Sequence, residues 1–298
     1  MKIIVCPDIH QEIEPLAFCI QQLKDGEVDK CIFLGDLIDS WSSAEWYYDS
    51  LRSPKAVLEK IAEWKEEFGD KFSCLMGNHD WSYSRIRNLH YSEILKATGV
   101  SGHQNNHVHE IEALFDKYES IFQLADCVDN VVYSHAGFTK TWLKKYIIYT
   151  DFENVRPKNF VKTVYDPMLK DLPALIARLN DDFKTGKMRR WWLDHRSYSP
   201  TGNDPDEGPL WVRPEALKND AAFKLQIVGH TEFAFHLAEK SDTFNGKMYT
   251  DKKKTNFVYC IDTPGHDTCL YVTDGVPGKI HKIAHETAFN NYMGTFWA

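Results

Sequence analysis

Long hydrophobic runs and clustered basic residues are both missing from this 298-residue chain. No apolar stretch approaches the roughly 20 residues that a helix needs to cross a bilayer, so we expect no membrane partner. Lysine and arginine number 35 against 43 aspartate and glutamate residues, and the formal net charge is −8. Because proteins that bind nucleic-acid backbones need clustered positive charge, this balance disfavours nucleic acid as a partner.

Cysteine motifs are missing as well. The seven cysteines include no Cys-x-x-Cys pair, their number is odd, and Cys6, Cys31 and Cys74 lie within apolar runs. This pattern indicates cysteines that pack as small hydrophobic core residues rather than cysteines that form disulfides. The chain enters an apolar run directly, without the cationic and hydrophobic regions of a secretion signal. We therefore expect a cytoplasmic protein in a reducing compartment.

Apolar material for a full core is present. Hydrophobic residues make up 43% of the chain, so folding needs no disulfide or structural metal to supply stability. The length fits one large domain, and no low-complexity segment or internal repeat divides the sequence. We expect a single domain over residues 1–298, and the oligomeric state stays open.

Five short apolar runs predict β-strands, and each run leads into residues that bind metals. The runs are residues 2–6, 31–34, 72–76, 130–133 and 225–228. The residues that follow them are, in order, Asp8 and His10, Asp36 and Asp39, Asn78 and His79, His135, and His230. Because the ends of strands in a buried sheet are rigid, we expect these side chains to converge.

Hard carboxylates together with imidazoles suit Mn, Fe, Zn or Mg. One shared carboxylate lets two such ions lie about 3.5–4 Å apart. The acidic net charge does not exclude a phosphate ester as substrate, since bound cations dominate the local field. The pattern therefore predicts a phosphoesterase with two metals.

Helical patterns separate the first three predicted strands. Apolar residues recur at helical spacing over residues 13–23 and over residues 57–68. Ser53 followed by Pro54 predicts the start of the second helix, and Gly69 its end. Alternating strands and helices are typical of an α/β fold, in which right-handed crossovers pack the helices on a sheet.

The pattern changes over residues 138–205, where helices are predicted at residues 141–149 and 168–183. Two interpretations stay open: extra helices packed on the scaffold, or a cap beside the metal site that sets substrate choice. We favour the cap, because insertions between metal-bearing strands emerge at the edge that carries the site. Farther on, residues 257–261 and 270–272 predict two strands joined by a turn at Pro264 and Gly265.

Taken together and in this order, the strand ends resemble the signature of the calcineurin-like metallophosphoesterases. That signature runs Asp-x-His, Gly-Asp-x-x-Asp, Gly-Asn-His-(Asp/Glu) and two later His segments, and all five blocks occur between residues 8 and 231. The chain is most similar to the phosphoprotein phosphatase branch, especially its bacterial and phage-type members. The resemblance implies a four-layer αββα sandwich with two mixed β-sheets and a dinuclear metal site at the strand ends.

The resemblance also implies which residues hold the first metal. Asp8 and His10 would be its ligands, and Asp36 would bridge it to the second metal. The last block reads Gly-His-Thr-Glu over residues 229–232 and lacks the second His of nuclease and phosphodiesterase relatives. The first metal would therefore have three protein ligands.

The second metal would be completed by Asn78, His135 and His230. Neutral imidazoles and an amide limit the negative charge around the ions and leave them Lewis acidic. A bridging water can then ionise near neutral pH, because a bound cation lowers its pKa by many units. Manganese is the first choice for both ions, with Fe, Zn and Mg as alternatives.

The implied catalytic residues are His79 and Asp39. His79 matches the family's general acid, and Asp39 matches the carboxylate that hydrogen-bonds this histidine and keeps it protonated. The implied reaction is in-line attack of a metal-bridging hydroxide on phosphorus, with no covalent enzyme intermediate. Electrostatic stabilisation of the equatorial oxygens would supply most of the rate.

One phosphate-binding arginine of the related phosphatases is replaced. They usually continue the second block with Arg-Gly, whereas this chain has Ser40 and Trp41. Arg213 resembles an arginine that grips the substrate phosphate in bacterial-type phosphatases, since a planar fork matches two phosphate oxygens. Asn78 is expected to contact the same phosphate. Weaker candidates for the missing arginine are Arg189, Arg190 and Arg196.

The leading hypothesis for function is a metal-dependent phosphatase that acts on phosphomonoesters, including phosphoserine and phosphothreonine in proteins. The alternative is hydrolysis of nucleotides or dinucleoside polyphosphates of the Ap4A type. Aromatic residues between Trp41 and Tyr48 would favour nucleotides through stacking. A nuclease is disfavoured by the acidic charge and the absent second His, and a non-catalytic scaffold is disfavoured because every ligand position is retained.

Overall fold

The computed structural model describes residues 1–40, 48–84, 103–150, 160–188, 192–193, 202–233, 247–263 and 267–283. Over these ranges the chain forms two β-sheets, of six and five strands, with helices packed on them. None of the described helices is long and apolar enough to cross a membrane.

The first half of the described chain alternates strands with helices. In chain order its elements are β1 (Lys2–Cys6), α1 (Glu14–Lys24), β2 (Lys30–Phe33), α2 (Pro54–Phe68), β3 (Phe72–Leu75), α3 (Asn78–Tyr83), α4 (Val108–Tyr118) and β4 (Phe122–Gln123). Helix α2 begins where predicted, because the Ser53 side chain accepts a hydrogen bond from the Ala56 amide at 3.2 Å. It ends before Gly69, which has a φ of 54°.

The second half adds the remaining strands. Its elements are β5 (Ala125–Val128), β6 (Val131–Ser134), α5 (Lys140–Thr150), α6 (Leu172–Lys184), α7 (Pro214–Asp220), β7 (Leu225–Val228), β8 (Lys247–Thr250), β9 (Phe257–Cys260), β10 (Thr268–Thr273) and β11 (Val276–Lys282). The helix predicted at residues 168–183 begins later, at Leu172. Asp171 caps it by accepting a hydrogen bond from the Ala174 amide at 3.1 Å.

Both sheets are mixed, as the resemblance implied. The six-stranded sheet has the order β11-β10-β1-β2-β3-β4, with β1 to β4 parallel and the last two strands of the chain antiparallel at one edge. The five-stranded sheet has the order β5-β6-β7-β9-β8, with β6, β7 and β9 parallel. Because these strands are parallel, the carboxyl ends of β1, β2 and β3 lie on the same side of the first sheet. The carboxyl ends of β6 and β7 likewise lie on the same side of the second sheet.

The strands alternate their side chains between two cores, as the period of two in a β-strand requires. Ile3 and Val5 of β1 lie between the sheets, fully buried with Ile227 of β7. Ile4 faces the opposite side, where it packs with the residues of α1. On the far face of the second sheet, Leu217 of α7 packs with the outward residues of β7 and β9. The result is the expected four-layer αββα sandwich.

The late strands do not form the hairpin that a turn between them would give. β9 pairs with β7 and β8, whereas β10 pairs with β1 and β11. The connection over residues 261–267 is long enough for the chain to pass from one sheet to the other. The turn residues Pro264 and Gly265 lie outside the described residues.

Helices α5 and α6 belong to the helical layer that covers the sheets. Tyr146, Leu179 and Phe183 are buried in the largest core cluster. The Asn180 side chain accepts a hydrogen bond from the Leu124 amide at 2.9 Å, just where the chain passes from β4 to β5. A cap over residues 138–205 stays a prediction, since residues 151–159, 189–191 and 194–201 of that stretch lie outside the described structure.

Candidate metal centre

Three side chains from three separate segments meet at the ends of β3, β6 and β7. The Oδ1 atom of Asn78 lies 2.8 Å from Nε2 of His135 and 2.9 Å from Nδ1 of His230. The two imidazole nitrogens lie 3.1 Å apart. Asn78, His135 and His230 are therefore brought together as the motif order predicted.

The hydrogen bond of His135 leaves the lone pair of its Nε2 atom directed toward Asn78 and His230. His135 donates its Nδ1 hydrogen to the carbonyl oxygen of Leu34 at 3.0 Å, so Nε2 of the neutral ring is an acceptor. Burial holds the pKa of both His135 and His230 well below the usual value for histidine, because a charged ring is poorly solvated there. Neutral imidazoles are the form that binds metals.

A second group surrounds the carboxylate of Asp36. Nε2 of His10 and Nε2 of His79 each lie 3.9 Å from Oδ2 of Asp36. The Nδ1 atom of His10 donates to the carbonyl oxygen of Ile38 at 3.1 Å, which turns Nε2 toward the carboxylate. Oδ2 of Asp36 also lies 3.5 Å from Nε2 of His135. Asp36 therefore lies between both groups, in the position expected of a bridging ligand.

Asp8 lies beside this cluster rather than inside either group. Its two carboxylate oxygens accept the backbone amide hydrogen of His230 at 3.2 and 3.0 Å. Burial raises the pKa of Asp8 well above its usual value, and the nearby carboxylates Asp262 and Asp36 raise it further. A role for Asp8 as a ligand of the first metal stays a prediction.

The donor atoms fit divalent cations. Spacings of 2.8–3.1 Å among Asn78, His135 and His230 would suit adjacent ligands at right angles around one ion bound at about 2.1 Å. Burial, together with repulsion from Asp80, raises the pKa of Asp36 well above its usual value. A metal cation bound in place of the proton would stabilise the negative charge of such a buried carboxylate. Two groups able to hold a metal share Asp36: one adds His10 and His79, the other His135 and His230.

Glycines allow the ligand-bearing segments to approach this closely. A Cβ atom on Gly77 would lie 2.1 Å from Oδ1 of Asp36, and one on Gly229 would lie 2.2 Å from Oδ1 of Asp8. Neither distance is compatible with a real side chain. The glycine before Asn78 and the glycine before His230 are therefore required by the carboxylates packed against them.

His79 and Asp39 form a buried pair next to Asp36. Nδ1 of His79 lies 3.2 Å from Oδ2 of Asp39, as expected for an acid and its supporting carboxylate. Asp39 is fully buried, and burial raises its pKa to about 7. The amide hydrogen of His79 is donated to Oδ1 of Asp36 at 2.9 Å. His79 is thereby held between the carboxylates of Asp39 and Asp36.

No role is predicted for Asp80 from its motif, yet its carboxylate joins the segment after β2 to the segment after β3. Its carboxylate accepts hydrogen bonds from the amides of Asp36 at 2.9 Å, Leu37 at 2.8 Å and Gly77 at 3.1 Å. Burial raises its pKa to about 7, although these amides oppose the shift. The available signal was its place as the fourth residue of the Gly-Asn-His-Asp block.

Arg213 lies beside His230, in the group formed by Asn78, His135 and His230. Its Nη1 atom donates to the carbonyl oxygen of His230 at 3.2 Å and to Oγ1 of Thr231 at 3.1 Å. Burial lowers the pKa of the guanidinium, and the carboxylates of Asp36 and Asp8 oppose that change. The side chain is half-buried at the edge of the site, which suits the predicted contact with a phosphate.

Several expected substrate-binding residues lie outside the described residues. These are Trp41, Trp46, Tyr47, Arg189, Arg190 and Arg196. Tyr48 is described, is 81% exposed and contacts the ring of His107 edge-on at 5.9 Å. Most of the Tyr48 side chain therefore faces solvent.

Known proteins similar to this chain include one family and several solved structures. A family model for the calcineurin-like phosphoesterases matches residues 1–231. The cold-active protein-tyrosine phosphatase of a psychrophilic Shewanella species is 13% identical over 95% of this chain and 80% of its own, with a TM-score of 0.46. A metallophosphoesterase from Sphaerobacter thermophilus is 14% identical over 95% and 89%, with a TM-score of 0.40. No curated protein matches the chain significantly.

Proposed function

The chain belongs to the calcineurin-like phosphoesterases and is thus a metal-dependent phosphoester hydrolase; we propose that its substrates are phosphomonoesters, foremost phosphoserine and phosphothreonine in proteins. The observation that carries this proposal is the His79–Asp39 pair, whose atoms lie 3.2 Å apart next to Asp36. Serine and threonine are poor leaving groups, since their alkoxides are strongly basic. A hydrolase for such esters needs a positioned acid.

The proposed ligands divide into two sets that share Asp36. Asp8 and His10 complete the first set, and Asn78, His135 and His230 are the other members of the second. Two ions bound here would supply Lewis acidity and a water acidified toward neutral pH. A mixture of carboxylate, amide and imidazole donors without thiolate suits manganese, and also Fe, Zn or Mg.

Arg213 and Asn78 are proposed to orient the substrate phosphate. Two hydrogen bonds to His230 and Thr231 hold Nη1 of Arg213, so the guanidinium is positioned before substrate binds. A planar guanidinium can donate to two phosphate oxygens at once. Positioning of this kind supplies a large part of the rate in phosphoryl transfer, since little covalent chemistry is left for the protein.

His79 is proposed to give a proton to the leaving oxygen. As the bond between phosphorus and the ester oxygen breaks, that oxygen takes the hydrogen from Nε2 of His79, and the alcohol leaves neutral. Nδ1 keeps its hydrogen bond to Asp39, which stabilises the charged imidazole before the transfer. A proton from solvent restores the acid for the next turnover.

Nucleotides of the Ap4A type are the alternative substrates. The exposed ring of Tyr48 supports this alternative, because an aromatic surface stacks on a base. A phosphoanhydride, however, has a better leaving group than a serine ester and depends less on an acid. The His79–Asp39 pair therefore favours phosphomonoesters.

A side-by-side assay separates the two substrate classes. The protein loaded with Mn²⁺ would be given a phosphoserine peptide, 4-nitrophenyl phosphate and Ap4A at equal concentrations. We expect kcat/KM for the peptide to exceed that for Ap4A. A preference for Ap4A would contradict the proposal and support the nucleotide alternative, and no turnover of any ester would contradict both.

A further inference from the structure

The acid pair has a third buried member. Tyr83 donates its hydroxyl hydrogen to Oδ1 of Asp39 at 2.6 Å, while Oδ2 of the same carboxylate lies 3.2 Å from Nδ1 of His79. Tyr83 and Asp39 are both fully buried. We propose that Tyr83 is a positioning residue for the acid, which fixes the Asp39 carboxylate and through it the ring of His79.

The place of Tyr83 in the helix gives it this contact. His79 and Tyr83 are four residues apart in α3 (Asn78–Tyr83), and side chains at that spacing lie on one face of a helix. Asp39 approaches that face from the segment after β2, with a φ of 67°. One carboxylate therefore reaches two side chains of the same helix, one with each oxygen.

The direction of the Tyr83 hydroxyl hydrogen is fixed by a further contact. The backbone amide of Gln104 donates to the Tyr83 oxygen at 2.7 Å. Since this amide occupies a lone pair of the oxygen, the hydroxyl hydrogen is left for Asp39. The Tyr83 ring is held between neighbours, with its centroid 4.5 Å from that of His103 and 6.1 Å from that of Phe115, nearly parallel to both.

The chemical consequence concerns the charge on Asp39. The hydrogen bond from Tyr83 favours the carboxylate form of Asp39, because a donor stabilises the negative charge. The carboxylate is the form that keeps His79 protonated. Tyr83 itself keeps its proton throughout: the hydrogen that reaches the leaving oxygen comes from Nε2 of His79. This inference rests on the proposed function, and the test below keeps the two separable.

The test is Tyr83→Phe, which removes one oxygen and keeps the ring contacts. Hydrogen bonds to a charged group are worth enough to change a rate by about tenfold or more. We expect kcat for an alkyl phosphate to fall by about tenfold, while kcat for 4-nitrophenyl phosphate falls by less than about threefold. KM should change little for either ester. The plot of log kcat against leaving-group pKa should become steeper.

A matched control is Tyr165→Phe. The Tyr165 hydroxyl is buried and has no hydrogen-bond partner within the described part of the chain, so its removal tests loss of a buried oxygen alone. This variant should keep the wild-type leaving-group slope. Melting curves check that both variants fold. If Tyr83→Phe melts below the assay temperature, the NMR chemical shift of the His79 Nδ1 proton is compared at low temperature instead. We expect this chemical shift to change in Tyr83→Phe and to stay unchanged in Tyr165→Phe.

A double variant separates the inference from the proposed function. If Tyr83 acts through His79, then Tyr83→Phe should lower the rate little further in a His79→Asn background. Equal loss on both esters in Tyr83→Phe, or full additivity with His79→Asn, would overturn the positioning role. His79→Asn alone tests the acid itself. A steeper slope in His79→Asn with an unchanged slope in Tyr83→Phe would reject the inference and leave the proposed function standing.

Discussion

Nε2 of His135 lies 2.8 Å from Oδ1 of Asn78, although 57 residues separate them in the chain. Neither atom is a good partner for the other without a cation, since the Nε2 lone pair and the amide oxygen both carry partial negative charge. A metal ion bound by both residues, as proposed, would account for the contact. It places the ends of β3 and β6, which belong to different sheets, at a single centre.

Replacement of His135 should remove one of the two ions. His135→Ala deletes a buried imidazole from the group of Asn78, His135 and His230, and leaves His10 and Asp36 in place. We expect elemental analysis of the purified variant, dialysed against Mn²⁺, to give about one ion per chain against about two for the wild type. His109→Ala is the control, because the His109 side chain is exposed, lies 3.3 Å from a carboxylate oxygen of Glu112, and belongs to neither of the two candidate metal groups. Two ions retained in His135→Ala would refute the assignment.

Adding a methyl group at Gly77 should disturb the metal centre. Its Cβ would lie 2.1 Å from Oδ1 of Asp36, so the carboxylate or the loop must shift, at a cost of about 1–3 kcal/mol. We expect Gly77→Ala to bind Mn²⁺ more weakly in calorimetric titrations. Gly26→Ala is the control: its Cβ meets nothing within 4 Å, and only the strain of its positive φ remains. Wild-type affinity in Gly77→Ala would contradict the geometry.

Much of the metal centre could be predicted from the sequence, because each ligand directly follows a short apolar run. The spacing within each block fixes which residue faces the centre. The hydrogen bonds between residues of different motifs could not be predicted. Asp80 bonds to the amides of Asp36 and Leu37, more than 40 residues away, and Tyr83 bonds to Asp39. Nothing local marks these partners.

The strands that were missed are short or lie partly in solvent. β4 has two residues, and β8 at the edge of its sheet has no buried residue. In β11 only Ile280 is buried. Such segments lack the apolar run that identifies a strand, since their pairing depends on neighbours distant in sequence.

The effect of pH on stability should reverse when metal is added. In the metal-free protein, burial raises the pKa of Asp8 and Asp36 well above 3.8. Above about pH 4 each of these carboxyls keeps its proton in the folded state and loses it in the unfolded state, so the free energy of unfolding falls as pH rises. For each carboxyl the total loss is about 1.4 kcal/mol per unit of difference between its pKa in the folded state and its pKa in the unfolded state. With Mn²⁺ the ligands must be deprotonated, so stabilisation by the metal grows with pH.

Melting curves check this reversal. We expect the Tm in the presence of a chelator to be higher at pH 5 than at pH 8. The raised pKa values of four buried carboxylates, Asp8, Asp36, Asp39 and Asp80, outweigh the lowered pKa values of His135 and His230, which act in the opposite direction below about pH 6.5. The increase in Tm caused by Mn²⁺ should be larger at pH 8. A metal-free Tm that rises between these pH values would argue against the buried carboxylates as the dominant groups.

The acid assignment predicts an effect that depends on the leaving group. His79→Asn should lower kcat for an alkyl phosphate by about 100-fold or more. The rate for 4-nitrophenyl phosphate should fall far less, because 4-nitrophenolate leaves without a proton. Equal losses on both esters would point instead to a role of His79 in metal binding, which its distance of 3.9 Å from Asp36 makes geometrically reasonable.

Every role proposed here depends on two cations that lie at the strand ends, on either side of Asp36. A crystal structure of the Mn²⁺-loaded protein, with diffraction data collected at a wavelength where manganese scatters anomalously, tests this arrangement most directly. We expect two anomalous peaks: one next to Asn78, His135 and His230, the other next to His10, with Asp36 between them. A single peak, or peaks remote from Asp36, would contradict this arrangement.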